Sequence, residues 1–334
     1  MKIDSIYMER FKTRFLKPFQ ISNRKYYNRH GWYIKIKCNN LIGVGEISPL
    51  PNYSPDYNFS IEKKIKEIIE NSNSLSLYAL KDNIKNSFSK YPSIQFGFET
   101  AIYDLLSKEK NIPLSKYWNK NYKKKILCNS IINIDSDINK IKDVVKIKIT
   151  LSSIKKNLSF LNSIVKKNPN VKLRLDFNGS LDLNEAKIWV KELANFNIDY
   201  IEQPLPHQQI EELSDLYSFT NIPIALDESI DNIDSAYEII EKKCADLFII
   251  KPMISGGYIN SKNIVDLAGK NNIKCIITST LETEIGFLAN VHIASALNIV
   301  DYCGLSTWDL YLENTPLYVM NNNIVIPNKP GLGY

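Results

Sequence analysis

Apolar and polar residues alternate along "SIYMERFKTRF" (residues 5–15) and "GWYIKIKC" (31–38), the period of half-buried antiparallel strands. "NNLIGVGEISPLPNYSPD" (39–56) then reads as a turn, a short strand and a loop rich in Pro and Ser. Apolar residues at helical spacing follow at about 61–70 and 94–110. From about residue 126 the pattern changes to short apolar strands alternating with amphipathic helices. The predicted strands are "ILCNSII" (126–132), "VVKIKIT" (144–150), "VKLRLDFN" (171–178), "IDYIEQP" (198–204), "IPIALDES" (222–229), "DLFIIKP" (246–252) and "KCIITST" (274–280), with a weaker eighth near "IVDYCGL" (299–305). Such alternation implies a parallel sheet with right-handed crossovers, and about eight repeats imply closure into a barrel. No Gly-rich turn follows the first strand, which disfavours an open doubly wound sheet. A domain boundary is expected near residue 124, with an α+β domain before it and an α/β barrel after it.

Charged residues sit where these strands end. Lys148, Asp176, Glu202, Asp227 and Lys251 follow one another at spacings of 24 to 28 residues. That is close to the length of one βα unit, since about 250 residues serve eight units in a barrel. Residues two apart share a face: Lys146 with Lys148, Arg174 with Asp176 and Asn178, Ile249 with Lys251. If these faces turn inward, Ile147, Ile149, Leu173, Leu175 and Ile250 turn outward under the helices, and the charged ends converge. Three carboxylates meeting there would repel one another unless a cation held them. Oxygen donors without His or Cys select a hard divalent ion, magnesium. A lysine on either side of the three supplies an acid/base pair, and the nearby cation and burial lower the lysine pKa. Taken singly, an acid at a strand end is a helix cap or surface charge, and Asp182 and Asp231 are expected to be such cases.

The chain has 334 residues, 44% of them hydrophobic, enough for a large core. Its formal charge of +6 is spread over lysines along the whole length. The densest cluster, Lys123 to Lys125, is short and reads as a solvated linker, so no nucleic-acid partner is expected. The five cysteines are isolated, with no CxxC pair, as in a cytoplasmic protein with reduced thiols. No leader-like apolar stretch or membrane span is expected.

The motifs resemble those of the enolase superfamily, of the muconate-cycloisomerase type, and within it the o-succinylbenzoate synthase family of menaquinone biosynthesis. The likeness rests on K-x-K at Lys146 to Lys148, "LRLDFNGS" (173–180), "IEQPLP" (201–206), "ALDES" (225–229), "IKPMISGG" (250–257) and "GVGEISPLPNYSPD" (43–56). The resemblance implies an α+β capping domain (1–124, closed by the tail 305–334) over a modified TIM barrel, (β/α)7β, at 125–304. It also implies Asp176, Glu202 and Asp227 as ligands of Mg2+, for which Mn2+ can substitute, and Lys148 and Lys251 as the catalytic lysines. Lys146, Arg174, Asn178 and Glu228 are expected to support the ligands, although an ion pair serving the fold alone explains Arg174 equally well. Ser255, Gly256 and Gly257 are expected to offer backbone N–H groups to a substrate carboxylate, against a plain turn as the alternative. Ser279 and Thr280 are expected to hold the succinyl tail, against simple helix capping. One departure is Thr150, where relatives commonly carry glycine; a changed loop backbone is expected there.

The implied reaction is the syn dehydration of 2-succinyl-6-hydroxy-2,4-cyclohexadiene-1-carboxylate to o-succinylbenzoate, with a small-molecule carboxylate as the substrate. N-acylamino-acid racemisation and dipeptide epimerisation use the same lysines. Asp301 and Asp309, eight apart, do not form the aspartate pair that dipeptide epimerases typically carry near the last strand. A non-catalytic basic binding protein is the distant alternative and would make the five-position ladder a coincidence. Loops near 17–30 and 48–58 are expected to choose the substrate.

Overall fold

The alternating segments extend beyond their predicted ends: β1 (Ser5–Ile21) and β2 (Arg24–Cys38) pair antiparallel, and β3 (Leu41–Ile47) joins on the far edge of β2. The β1–β2 register runs from Ser5 opposite Lys37 to Arg14 opposite Asn28 and slips before Phe19. The structure is a computed structural model and describes all residues except 22–23, 73–74, 88–89, 133–137, 139–142, 150–152, 312–318 and 321–322, so Thr150 lies outside the described residues. The chain divides into two compact units, Met1–Leu127 with Lys251–Asn263 and Ile277–Tyr334, and Cys128–Ile250 with Ile264–Ile276.

In the first unit the sheet packs on helices. α1 (Ile61–Ser72) buries Ile61, Ile65 and Ile68 at helical spacing; α2 (Leu77–Ser87) and α4 (Leu114–Trp118) were not marked by the sequence pattern. α3 (Pro92–Glu109) opens on a proline, which needs no N–H in the first turn. The "GVG" of β3 explains why α3 comes so close. A Cβ on Gly43 would lie 2.0 Å from Ala101 O, and one on Gly45 1.8 Å from Gly97 O. Any side chain there would push the helix away.

"ILCNSII" proves to be two strands, not one. β4 (Lys125–Leu127) belongs to the first unit, and β5 (Ser130–Ile132) begins the sheet of the second. The break between them allows one apolar run to serve two sheets. β6 (Val144–Lys148), α5 (Ile154–Lys167), β7 (Lys172–Asp176), α6 (Leu183–Glu192), β8 (Ile198–Glu202), α7 (Ile210–Phe219), β9 (Ile224–Leu226), α8 (Ile233–Lys242) and β10 (Leu247–Ile250) then alternate. After α9 (Pro252–Ser255) and α10 (Tyr258–Lys270), β11 (Lys274–Ile277) completes a seven-stranded sheet in chain order from β5 to β11. From β5 to β10 each strand pairs parallel with the next. Asp182 caps α6 in a capping box with Glu185, as expected. At α8 the cap is Asn232, and Asp231 accepts a bond from the Asn232 amide.

The expected eighth strand is reduced to isolated bridge residues, Cys303 and Gly304, the latter pairing parallel with Thr278. In the first unit α11 (Glu284–Ala296) is buried from Ile285 onward, and β12 (Val319–Met320) and β13 (Asn323–Val325) extend a small antiparallel sheet with β4. Residues 331 and 332 are clamped. Leu332 N donates to Asp104 Oδ1 (2.8 Å) while Val44 N donates to Oδ2 (3.0 Å), and Leu114 N donates to Gly331 O (2.8 Å). His292 Nδ1 accepts from Ser115 N at 3.1 Å, which leaves Nε2 to donate to Leu332 O at 3.2 Å. The cysteines are free thiols. No helix among the described residues is long and apolar enough to cross a membrane.

Candidate active site

Parallel pairing lines up the charged strand ends in the second unit. Lys148 lies opposite Asp176, and Asp176 opposite Glu202. Glu202 in turn faces Ala225, two residues before Asp227. Alternation therefore puts Lys146, Lys148, Asp176, Glu202 and Asp227 on one face. Deeper on that face Tyr200, Ala225, Leu247, Ile249 and Ile276 form one buried cluster. Polar mouth and apolar floor come from the same strands, two residues apart.

The mouth is short of positive charge. Asp176, Glu202 and Asp227 are exposed by only 7%, 1% and 7%. Lys146 Nζ donates to Glu202 Oε1 at 2.6 Å and lies 3.0 Å from Asp176 Oδ2. Burial by itself would lower the Lys146 pKa, but the two carboxylates outweigh it and hold the group well above the usual lysine range. Lys148 shifts the other way: burial lowers it first, Asp176 partly opposes this, and the Lys146 charge lowers it further. Glu202 is pushed up to about 8 by burial and then by Asp176, against the pull of Lys146. Its Oε2 is buried with no hydrogen-bond partner among the described residues. Among those residues no three His, Cys, Asp or Glu side chains are gathered so as to hold a metal ion. The donor chemistry nevertheless fits a hard divalent cation: oxygens only, repelling one another in a buried row, with one oxygen lacking any partner.

Backbone braces fix the row. Asn178, at φ 46°, donates its N–H to Asp176 Oδ1 (3.0 Å) and its side-chain amide to Glu228 Oε1 (3.3 Å). Gln203, at φ 38° and fully buried, ties the β8 end to the β9 end. Its Oε1 accepts from Asp227 N at 3.0 Å and Ser229 N at 3.2 Å, while Nε2 donates to Leu205 O at 2.9 Å. Sequence reasoning gave Gln203 no role; the signal available was its place in "IEQP", directly after the middle carboxylate. Arg174 bonds Asp199 (2.8 Å) and Asn129 (3.0 Å) and lies 4.8 Å from the Tyr200 ring, partners that favour the ion-pair reading.

The remaining expected residues lie in the first unit. Lys251, directly after β10, donates from Nζ to Tyr53 Oη at 2.6 Å, with the Tyr53 ring centre 4.9 Å away. Tyr53, 198 residues earlier, is a second residue that sequence reasoning missed. The "SGG" turn is structural: Ser255 N bonds Lys251 O, and Gly256 N and Gly257 N both bond Pro252 O (3.0 and 2.7 Å). Those N–H groups are therefore not presented to a ligand, as had been expected of them. Ser279 Oγ (2.5 Å), Thr280 N (2.9 Å) and Thr280 Oγ1 all donate to buried Glu282, so both hydroxyls are committed within the loop before α11. Glu46 holds the start of that helix, accepting from Thr283 N (3.0 Å), Thr283 Oγ1 (2.6 Å) and Gly286 N (2.9 Å).

Comparison with known proteins places this arrangement. Residues 138–334 match the family described as enolase C-terminal domain-like. The chain belongs to the enolase superfamily. As in that superfamily, a parallel α/β sheet accompanies an N-terminal antiparallel capping domain, and residues 4–105 match the family described as MenC, N-terminal domain. Among enolase-superfamily relatives, a chloromuconate cycloisomerase from Pseudomonas putida is 24% identical over 100% of this chain and 96% of its own length. An L-Ala-D/L-Glu epimerase from Bacillus subtilis is 27% identical over 100% of this chain and 96% of its own. The fold also matches a dipeptide epimerase from Enterococcus faecalis, in complex with Mg and the dipeptide L-Leu-L-Tyr, with a TM-score of 0.87 and 22% identity over 100% of this chain and 99% of that one.

Proposed function

We propose that this chain is an o-succinylbenzoate synthase, a metal-dependent hydro-lyase of menaquinone biosynthesis. The observation that carries the chemistry is the pair on β6: a permanently charged Lys146 two residues from a Lys148 whose charge is disfavoured. The match of residues 4–105 to the MenC N-terminal domain supports this reaction over others of the superfamily. Asp176, Glu202 and Asp227 would hold a magnesium ion, with manganese as a substitute. When bound, the ion would neutralise the row and polarise a substrate carboxylate, making the neighbouring C–H bond more acidic.

The protein's own groups then do the proton work. Neutral Lys148 takes the proton from the carbon beside the carboxylate. The resulting ammonium returns it to the departing hydroxyl on the same face, so C–H and C–O bonds break, water leaves and the ring becomes aromatic. Lys146 stays charged and bonded to Asp176 and Glu202, which keeps the Lys148 pKa down. Lys251 is assigned as the second lysine, oriented by Tyr53. Asn178 and Glu228 brace the carboxylate row, while Arg174 serves the fold.

A second reading is proton transfer without elimination, as a racemase or epimerase, and the likeness to the B. subtilis epimerase over the whole chain favours it. One experiment separates the two. Purified protein with magnesium is assayed spectrophotometrically for dehydration of the cyclohexadiene substrate, beside deuterium exchange at the α-carbon of N-succinylamino acids and of L-Ala-L-Glu. Dehydration is expected to dominate; exchange with no dehydration would discard the synthase assignment.

A further inference from the structure

Asp176, Glu202 and Asp227 stand at the ends of three different strands, β7, β8 and β9, and a single residue is bonded across all three ends. Gln203 follows Glu202 directly. Its backbone O accepts from Gly179 N at 2.7 Å, in the turn after Asp176, and its own N–H donates to Ala225 O of β9 at 2.8 Å. Its side chain reaches the Asp227 backbone itself, Oε1 accepting from that N–H and from Ser229 N, while Nε2 donates to Leu205 O and to Ser229 Oγ, both at 2.9 Å. Two N–H groups on one side need an acceptor and a carbonyl on the other needs a donor, and only an amide supplies both. A carboxylate in its place would leave Leu205 O without that donor and add a fourth negative charge to the row. The Gln203 backbone is left-handed (φ 38°), a cost for any residue that carries a Cβ. Glycine would remove the cost and the amide with it. A buried amide therefore offsets a strained backbone beside the middle carboxylate, and none of its bonds uses a carboxylate oxygen of the row.

We propose that Gln203 is a positioning residue that holds the three carboxylate-bearing strand ends together before any cation arrives, and so sets the affinity of the row for a divalent ion. This role rests on the reading of Asp176, Glu202 and Asp227 as a magnesium site. Like charges drive the ends apart; the Gln203 bonds resist that separation without neutralising anything. The ion then joins ends already gathered, and its binding does not have to order them.

The test is a Mn2+ titration of the full chain, with free Mn2+ read from its EPR signal. Gln203→Met, similar in length but with neither donor nor acceptor, is expected to raise the Mn2+ Kd about 10- to 100-fold. Ser229→Ala removes one partner of the amide and spares the backbone bonds; it is expected to raise the Kd about threefold, and it decides the matter if Gln203→Met does not fold. Leu216→Ala weakens the same unit by opening a cavity under α7, and its Kd should stay at the wild-type value. A wild-type Kd in Gln203→Met and Ser229→Ala would overturn the role of Gln203 and leave the metal site standing. A Kd raised as far in Leu216→Ala would overturn it as well, by reducing Gln203 to general stability. Absence of Mn2+ binding by the wild type would discard the metal site itself, and this role with it.

Discussion

Lys146 and Lys148 share a strand and a face, but only Lys146 is held between two carboxylates. The difference decides what substitution does to each. Lys148→Ala is expected to lower kcat by about 10²–10⁴-fold, the range for a lost general base, while the urea midpoint stays near that of the wild type. Full activity in this variant would remove Lys148 from the mechanism. Lys146→Met is a different injury: it strips two buried carboxylates of their cation, which costs about 3–5 kcal/mol. That loss should be read by urea unfolding in EDTA and should shrink when magnesium is added; an unchanged midpoint in EDTA would show that the ion pairs contribute nothing. EDTA is also expected to abolish wild-type turnover and added magnesium to restore it. These charges were legible in the sequence because each recurs once per βα unit. Gln203 and Tyr53 were not legible: a neutral amide and a phenol leave no periodic mark, and their partners are set by folding alone.

At the scale of elements, most strands and helices follow from apolar spacing, and the failures have a common cause. "ILCNSII" reads as one strand because every position is compatible with one, yet its ends pair with different sheets. "IVDYCGL" has strand-like composition but makes only isolated bridges, at Cys303 and Gly304. Short segments of this kind are decided by the edge they meet, which composition does not encode. Caps were read more reliably, since Asp182 acts through a residue three positions on. Glu46 is a cap of the opposite sort, reaching α11 across 237 or more residues of chain. Glu46→Ala is expected to leave Thr283 N and Gly286 N without an acceptor and to cost about 1–3 kcal/mol, seen as a lower urea midpoint. Glu46→Gln, which keeps one acceptor oxygen, should lose less, and equal losses would argue against capping.

Across the whole molecule, the clamp on Leu332 ties stability to pH. Burial pushes His292 down to about 4, with the bond to Leu332 O opposing. An unfolded imidazole titrates near about 6.5. The folded pKa is the lower one, so the stabilisation is present above about 6.5 and is lost as pH falls toward about 4. The urea midpoint of the wild type should therefore exceed that of His292→Gln at pH 7.5, and the gap should narrow at pH 4.5. A gap that stays constant with pH would mean that the imidazole matters only for packing. The same clamp has a consequence for biosynthesis. Asp104 meets its partner 228 residues later, so the first unit, begun before the second on the ribosome, is finished after it. Until residue 332 emerges, the nascent β3–α3 pair carries a half-satisfied buried carboxylate. During translation that half-built domain must wait for the end of the second unit before its last buried acceptor is paired.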